Sequence, residues 1–232
     1  MPGTPPLFSV ITPSAGKRPR ALAQAIASVE ASALRAGILG RVEMLVGFDG
    51  VRGERPVEAP WLRYVDFPPS GDYGNRIRDG LLRAARGERV LFVDDDNAVT
   101  PEAFSAWLAH MATDMLVARV DTSRAFDVPF LPVLAPGEDP SRAIRQCNVD
   151  PLCLCLSRRL VELCRGWRSE GRYESDFLNI RRYHRRAASF KVLEDVVGVY
   201  DAGRGLDPEG GNPRQRGELG ASVLRGRGTG AA

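Results

Sequence analysis

Arg89-Val90-Leu91-Phe92-Val93-Asp94-Asp95-Asp96-Asn97 decides the reading of this chain. The apolar run from Val90 to Val93 has the length and character of a fully buried strand. It stops at three consecutive carboxylates and an amide. Anions crowded on one short turn repel one another unless a cation neutralises them. Hard oxygen ligands of this kind suit Mg2+ or Mn2+, and either ion can hold the phosphates of a bound ligand. In α/β sheets the ligand crevice opens outside the carboxyl ends of the strands, which is where this cluster falls.

Upstream, strands and helices alternate. Phe8–Ile11 reads as a short strand ended by Thr12-Pro13, and Leu22, Ile26, Val29 and Ala33 recur at helical spacing up to Gly37. Met44–Phe48 is a second buried strand stopped at Asp49-Gly50, and Trp61–Phe67 reads as a third. Ile77, Leu81, Leu82 and Ala85 mark a helix closed by Gly87. Downstream, Thr100 as N-cap with Pro101 predicts a helix to about Met111, followed by a strand over Met115–Val120. This alternation predicts an α/β domain with a mostly parallel central sheet and helices on both faces. In such a sheet Thr12, Asp49 and Asp94 end neighbouring strands on one edge. The run Lys17-Arg18-Pro19-Arg20 adds positive charge suited to diphosphate oxygens.

The second half is less regular. Ala125–Pro140 reads as a loop, Leu152–Leu156 as a strand, Arg158–Cys164 and Tyr173–Tyr183 as helices, and Phe190–Tyr200 as one or two strands. From Asp201 to Ala232 glycine and arginine dominate, predicting a flexible tail or a lid that orders on ligand binding.

Composition excludes several classes. The 232 residues are 44% hydrophobic and 26% charged, ordinary for a globular domain and unlike a disordered chain. No apolar run approaches the roughly 18 residues of a spanning helix, and residues 1–7 lack the pattern of a secretory signal, so a cytoplasmic protein is expected. Net charge is +3, with 32 basic residues scattered among 29 acids and only 7% aromatics. A nucleic-acid partner is not expected, because such footprints cluster into patches. The cysteines Cys147, Cys153, Cys155 and Cys164 lack zinc-site spacing and read as reduced, mostly buried thiols. No G-x-G-x-x-G follows the first strand, and Gly16-Lys17 lacks the remaining residues of a phosphate-binding P-loop. A late Asp-x-Asp with Ala98 after it also departs from the haloacid-dehalogenase pattern, in which that motif closes the first strand.

Thr12-Pro13, Arg18, Leu22, Ala25-Ile26 and Ser28-Val29, followed by Arg78-Asp79, Ala85, Gly87-Glu88 and Phe92–Asn97, resemble the family 2 glycosyltransferases over roughly residues 8–105. Phe48, Asp79 and Asn97 depart from the commonest pattern. The resemblance implies a GT-A-like fold, a nucleoside-diphosphate sugar donor and a divalent ion, Mn2+ or Mg2+. It implies donor contacts from Thr12, Pro13, Arg18, Asp49, Arg78, Asp94 and Asp95, with metal held by Asp94 and Asp96. Asp150-Pro151-Leu152, Arg158-Arg159, Gly166-Trp167 and Glu174-Ser175-Asp176 resemble the family's acceptor segment, where one acid serves as base. Asp176 is the first choice for that base and Glu174 the second, since a carboxylate must take the proton of the attacking hydroxyl.

The resulting division is a nucleotide-sugar-binding half over 1–120, an acceptor half of the same domain over 121–200, and the tail over 201–232. Trp167 reads either as a sugar-stacking platform or as a core residue. His184 is a further metal-ligand candidate, and Arg181, Arg182, Arg185 and Arg186 read as a solvated helical face. The expected activity is metal-dependent, inverting transfer to an acceptor hydroxyl on a glycan, lipid carrier, small metabolite or protein. The alternatives are a nucleotidyltransferase or phosphatase using the same acidic strand end, and a non-catalytic binding protein of the same fold.

Overall fold

The computed structural model describes residues 5–169, 174–211 and 215. Strand β1 (Phe8–Ser14) is buried along its whole length and is flanked by β2 (Val42–Asp49) and β4 (Arg89–Phe92), both parallel to it. Such continuous apolar runs are what a sheet covered on both faces requires. Beyond β2 lies β3 (Leu62–Phe67), a half-exposed edge strand. Helix α1 (Pro19–Arg35) buries Leu22, Ala25, Ile26, Val29 and Ala33, the stripe expected from their spacing. Helix α2 (Asn75–Ala84) packs closely on β2 at Gly47, where a Cβ would come within 2.4 Å of Ile77.

Past β4 the expected parallel order breaks. β8 (Leu154–Ser157) inserts antiparallel between β4 and β6 (Met115–Asp121), and β9 (Phe190–Val199) runs parallel to β6. The two-residue strands β5 (Ala98–Val99) and β7 (Phe130–Leu131) pair antiparallel with β9 and β6. The result is one mixed sheet in the order β3-β2-β1-β4-β8-β6-β9-β5, with β7 on β6. The expectation of a mostly parallel sheet is therefore corrected. Four pairings are parallel and four antiparallel. The physical reason is that the chain from β6 returns through the Ala125–Val149 loops and no long helix, and antiparallel pairing needs no helical crossover.

Smaller corrections follow the same logic. Thr100 does not cap the helix after the acidic turn, because its hydroxyl donates to Val196 O at 2.7 Å; helix α3 begins at Ala103 and ends at Leu108. Pro151–Cys153 form a 3-10 turn, so the strand starts at Leu154, two residues later than expected. Helices α4 (Arg158–Leu163) and α5 (Ser175–Arg186) fall where expected. Cys153, Cys155 and Cys164 are buried free thiols and Cys147 is exposed.

Residues 201–211 are packed, not free. Asp201 is buried, Gly203 N donates to Asp96 O, and the Asp207 carboxylate accepts from Ala21 N at 2.8 Å at the start of α1. The rest of the predicted tail, apart from Gln215, lies outside the described residues. Among the described residues no helix is long and apolar enough to cross a membrane.

Candidate functional site

The parallel register of β1, β2 and β4 brings Ser14, Asp49 and the turn after Phe92 to one edge of the sheet. Two guanidiniums organise that edge. Arg18, just before α1, pairs with both Asp95 and Asp96. Arg78, on α2, is 2% exposed; it donates to Asp94 Oδ1 at 2.7 Å and to Tyr73 O at 3.2 Å, and lies 3.6 Å from Asp176 Oδ1. Its charge sits 5.4 Å above the Trp167 ring, whose Nε1 donates to Asn75 Oδ1 at 2.8 Å. Gly74 precedes α2 with a left-handed φ of 78°, and a Cβ there would lie 3.0 Å from Pro13 and 3.3 Å from Arg78 Nη1. A glycine is thus required for the helix start to approach the end of β1.

Each predicted residue has a definite place. Asp95 is 1% exposed and accepts from Ser14 Oγ at 2.5 Å as well as from Arg18, so it holds Arg18 in place from inside the protein. Asp96 shares Oδ2 between Arg18 and Gln215 Nε2. Asp94, 34% exposed, is the member of the triplet most open to the cleft. Thr12 is buried, with its Oγ1 unpartnered among the described residues. Pro13 is buried beside Gly74. Asp49 accepts from Ser70 N, Ser70 Oγ and Gly71 N, so its carboxylate ties down the loop beyond β3. Asp176 opens α5 with 38% of its side chain exposed, directly across Arg78 from Asp94. Glu174 is exposed and caps nothing.

Three sequence readings resolve here. Trp167 is a core residue packed against Phe92 and Tyr183, which removes the sugar-platform alternative. His184 stacks edge-on against Phe190, about 12 Å along α5 from Asp176, and among the described residues it shares no ligand cluster with the acids. The departures from the family pattern have structural partners: Asn97 accepts from Asp201 N, Asp79 from Trp167 N, and Phe48 stacks on Tyr64.

Electrostatics follow from this packing. Burial pushes the Asp95 carboxyl up to about 7 against the pull of Arg18. Burial also raises Asp96 and Asp176, with Arg18 and Arg78 respectively opposing the rise and Asp94 adding to it. Burial works against the Arg78 charge, but Asp94 and Asp176 more than offset it, so Arg78 stays firmly protonated.

Asp150 is a site residue that the sequence reading placed in the acceptor segment without a role. Its Oδ1 accepts from Leu152 N at 2.8 Å, and burial together with Asp94 pushes its carboxyl up to about 7. The Asp150-Pro151 pair is a recognisable start of a helical turn; nothing local says that it faces Asp94.

Because Asp150 is ordinary when unfolded and raised when folded, its contribution to stability is full below about pH 4. It is lost as pH rises through 7. Asp150→Asn keeps the acceptor for Leu152 N–H and removes the charge. The variant is expected to match the wild type at pH 4 and to exceed it at pH 8 by on the order of 4 kcal/mol in urea unfolding. Parallel stability–pH curves for the two proteins would refute this account.

The site's fit to a divalent ion rests on the chemistry of its donors. Asp94 offers a carboxylate oxygen at the cleft, its Oδ2 accepting no hydrogen bond among the described residues, whereas Asp96 is buried with Oδ2 held by Arg18 and Gln215. No group of three or more His, Cys, Asp or Glu side chains converges on a common point among the described residues. Magnesium typically takes only one or two carboxylates and completes its shell with water and ligand phosphate, so Asp94 fits such an ion and Asp96 joins it by exchanging its Arg18 contact for the metal.

No protein-family model and no curated protein matches the chain. Solved structures do match in fold. TarS from S. aureus, residues 1–349, superposes with a TM-score of 0.67 at 18% identity over 83% of this chain and 59% of TarS. Its UDP-GlcNAc complex gives 0.67 at 19% identity, covering 83% of this chain and 58% of that one. The mannosyltransferase PcManGT from Pyrobaculum calidifontis, solved with GDP-Man and Mn2+, gives 0.59 at 16% identity over 86% and 58% of the two chains. The chain therefore shares the α/β fold of these structures, and it spans about three fifths of their length.

Proposed function

We propose that this chain is a glycosyltransferase that moves a sugar from a nucleoside-diphosphate sugar to an acceptor hydroxyl, by single displacement with inversion as in family 2. The observation that carries the reading is the line Asp94–Arg78–Asp176, a buried cation held between two cleft-facing carboxylates at the carboxyl edge of the sheet. The neighbours TarS and PcManGT, solved with UDP-GlcNAc and with GDP-Man, support a donor of this class.

In this reading the nucleoside lies over the ends of β1 and β2. Thr12 is buried beneath that edge, with its hydroxyl shut off from solvent. Asp94 and Asp96 would hold Mn2+ or Mg2+, which supplies positive charge toward a diphosphate when bound. Arg78 carries a permanent charge held by Tyr73 O and the Trp167 ring; being buried and paired with both acids, it would act by orienting Asp94 and Asp176 without reorganising. Asp176, its basicity raised by burial, takes the proton of the acceptor hydroxyl as that oxygen attacks the anomeric carbon. Residues 1–120 serve the donor and 121–200 the acceptor.

Thermal unfolding with UDP, GDP, CDP, ADP and dTDP, each with and without Mn2+, tests the donor site. A nucleotide at 100 times its Kd is expected to stabilise the wild type by about 2.7 kcal/mol. Asp96→Ala should lose the Mn2+-dependent part of that shift. The absence of any shift, or release of pyrophosphate or phosphate in place of a nucleoside diphosphate during turnover, would overturn the proposal in favour of nucleotidyl transfer or phosphate hydrolysis.

A further inference from the structure

Away from the donor edge, Arg181, Arg182, Arg185 and Arg186 of α5 join Arg168 around a cavity of about 550 Å3, completed by Leu178 and Asn179. Five arginines thus line one concavity. Among the described residues none of the five forms an ion pair with a carboxylate. Their anchors are neutral. The Arg168 main chain, not its guanidinium, is held by a reciprocal pair of hydrogen bonds with the Asn179 side chain, at 2.9 and 2.8 Å. Arg182 donates to Gly166 O at 2.6 Å and lies 5.7 Å from the Tyr183 ring centre, and Arg181 lies 5.8 Å from that of Phe177. Arg182 Nε is buried without a hydrogen-bond partner among the described residues.

Basic residues in the last turn of a helix are favoured by its dipole, which accounts for Arg185 and Arg186. It does not account for Arg168, from another segment, or for Arg181 and Arg182 closing on the same space. Like charges gathered with no paired carboxylate among the described residues repel, and a polyanion relieves that repulsion.

We propose that this cavity is a binding site for a phosphate-bearing group, a diphosphate or a phosphodiester, distinct from the donor cleft. The guanidinium fork matches phosphate oxygens in bidentate fashion. A tetrahedral phosphate accepts from several directions at once, as a ring of arginines requires, whereas a planar carboxylate is satisfied by one or two. The volume lies in the range of about 300–1,000 Å3 typical of small-molecule sites, room for a phosphate together with its substituents. Arg182 is six residues beyond Asp176, so the cavity is about 9 Å further along α5 and about 120° around its axis. On the glycosyl-transfer reading, the phosphate belongs to the acceptor. That assignment rests on the proposed function; the binding itself does not.

The test uses inorganic pyrophosphate as probe, titrated calorimetrically into the full chain at constant ionic strength with EDTA present. The double variant Arg185→Gln/Arg186→Gln, both exposed positions, should weaken pyrophosphate by about tenfold for each guanidinium lost. Its far-UV circular dichroism and its affinity for nucleoside diphosphate with Mn2+ should stay at wild-type values. Arg182→Gln should weaken pyrophosphate as well. Unchanged pyrophosphate affinity in the double variant overturns the proposal, as does citrate binding as tightly as pyrophosphate. Co-sedimentation with phosphatidylglycerol vesicles in the absence of pyrophosphate binding would also overturn it, in favour of a membrane surface. Failure of the donor proposal alone would appear as loss of nucleotide binding with pyrophosphate binding intact.

Discussion

Asp176→Asn is expected to lower kcat by about 10²–10⁴-fold, the usual contribution of a positioned general base. Asparagine keeps the size of the side chain and its place at the start of α5, but it cannot accept the acceptor's proton. Nucleoside-diphosphate affinity should hold or rise slightly, because Arg78 loses one of its two counter-charges. A fall in kcat with donor binding preserved is what separates chemistry from site collapse. The pH profile carries the same information. Burial raises the Asp176 carboxyl above the ordinary carboxylate range. Only the deprotonated form can act as base, so kcat/KM should fall on the acid side at a pH above that range. Glu174→Gln is the control, since Glu174 is exposed and caps nothing. If Glu174→Gln removes activity and Asp176→Asn does not, the base is Glu174 and the Arg78–Asp176 pair is structural.

Arg18→Met is expected to cost about 3 kcal/mol of stability at pH 8, the low end for removing one partner of a buried ion pair. That is a large share of the roughly 5–15 kcal/mol that keeps a domain folded. Arg18 is the cation paired with Asp95, which is 1% exposed and otherwise accepts only from Ser14 among the described residues. Methionine fills the same space and leaves a buried carboxylate without counter-charge.

The pH sign is definite. Asp95 is pushed up to about 7 even with Arg18 present, so its contribution to stability is full below about pH 4 and lost as pH rises through 7. Without Arg18 its folded value rises further, and at pH 5 the carboxyl is protonated. The variant's deficit should therefore shrink at pH 5 relative to pH 8, as read by urea unfolding at both. Equal deficits would show that Arg18 stabilises through packing, not through its charge. Arg18→Lys should fall between the two, because a point charge cannot bridge Asp95 and Asp96 as the guanidinium fork does.

Much of the donor half was legible in the residues. Buried parallel strands are nearly continuous apolar runs, and Val10–Ile11, Met44–Phe48 and Val90–Val93 have no other comfortable environment. Their punctuation, Thr12-Pro13, Asp49-Gly50 and the acid triplet, then falls on one edge because parallel strands share their ends. The acceptor half was harder. β8 is only four residues long, and its direction follows from the return path of the chain, which no local pattern encodes. Composition also misread residues 201–211. Glycine dominates there, yet Asp201 and Asp207 supply the contacts that seat the segment on the acidic turn and on α1.

The sequence by itself determined where charge collects: an acid triplet after a buried strand, Arg18 and Arg78 near it, and four arginines on the last helix. Charge and hydropathy are carried by single residues at short range, so the chain displays them openly. Only the tertiary structure decided how those charges are shared. It turned Asp95 inward as the clamp on Arg18, left Asp94 and Asp176 facing the cleft across Arg78, and brought Asp150 up beside them. It also gathered Arg168 with the α5 arginines around one cavity. These outcomes depend on distances between residues far apart in the chain and on how little water is left between them. Both are set by the packing of the sheet and its helices, since the strength of every charge interaction here scales with burial and separation.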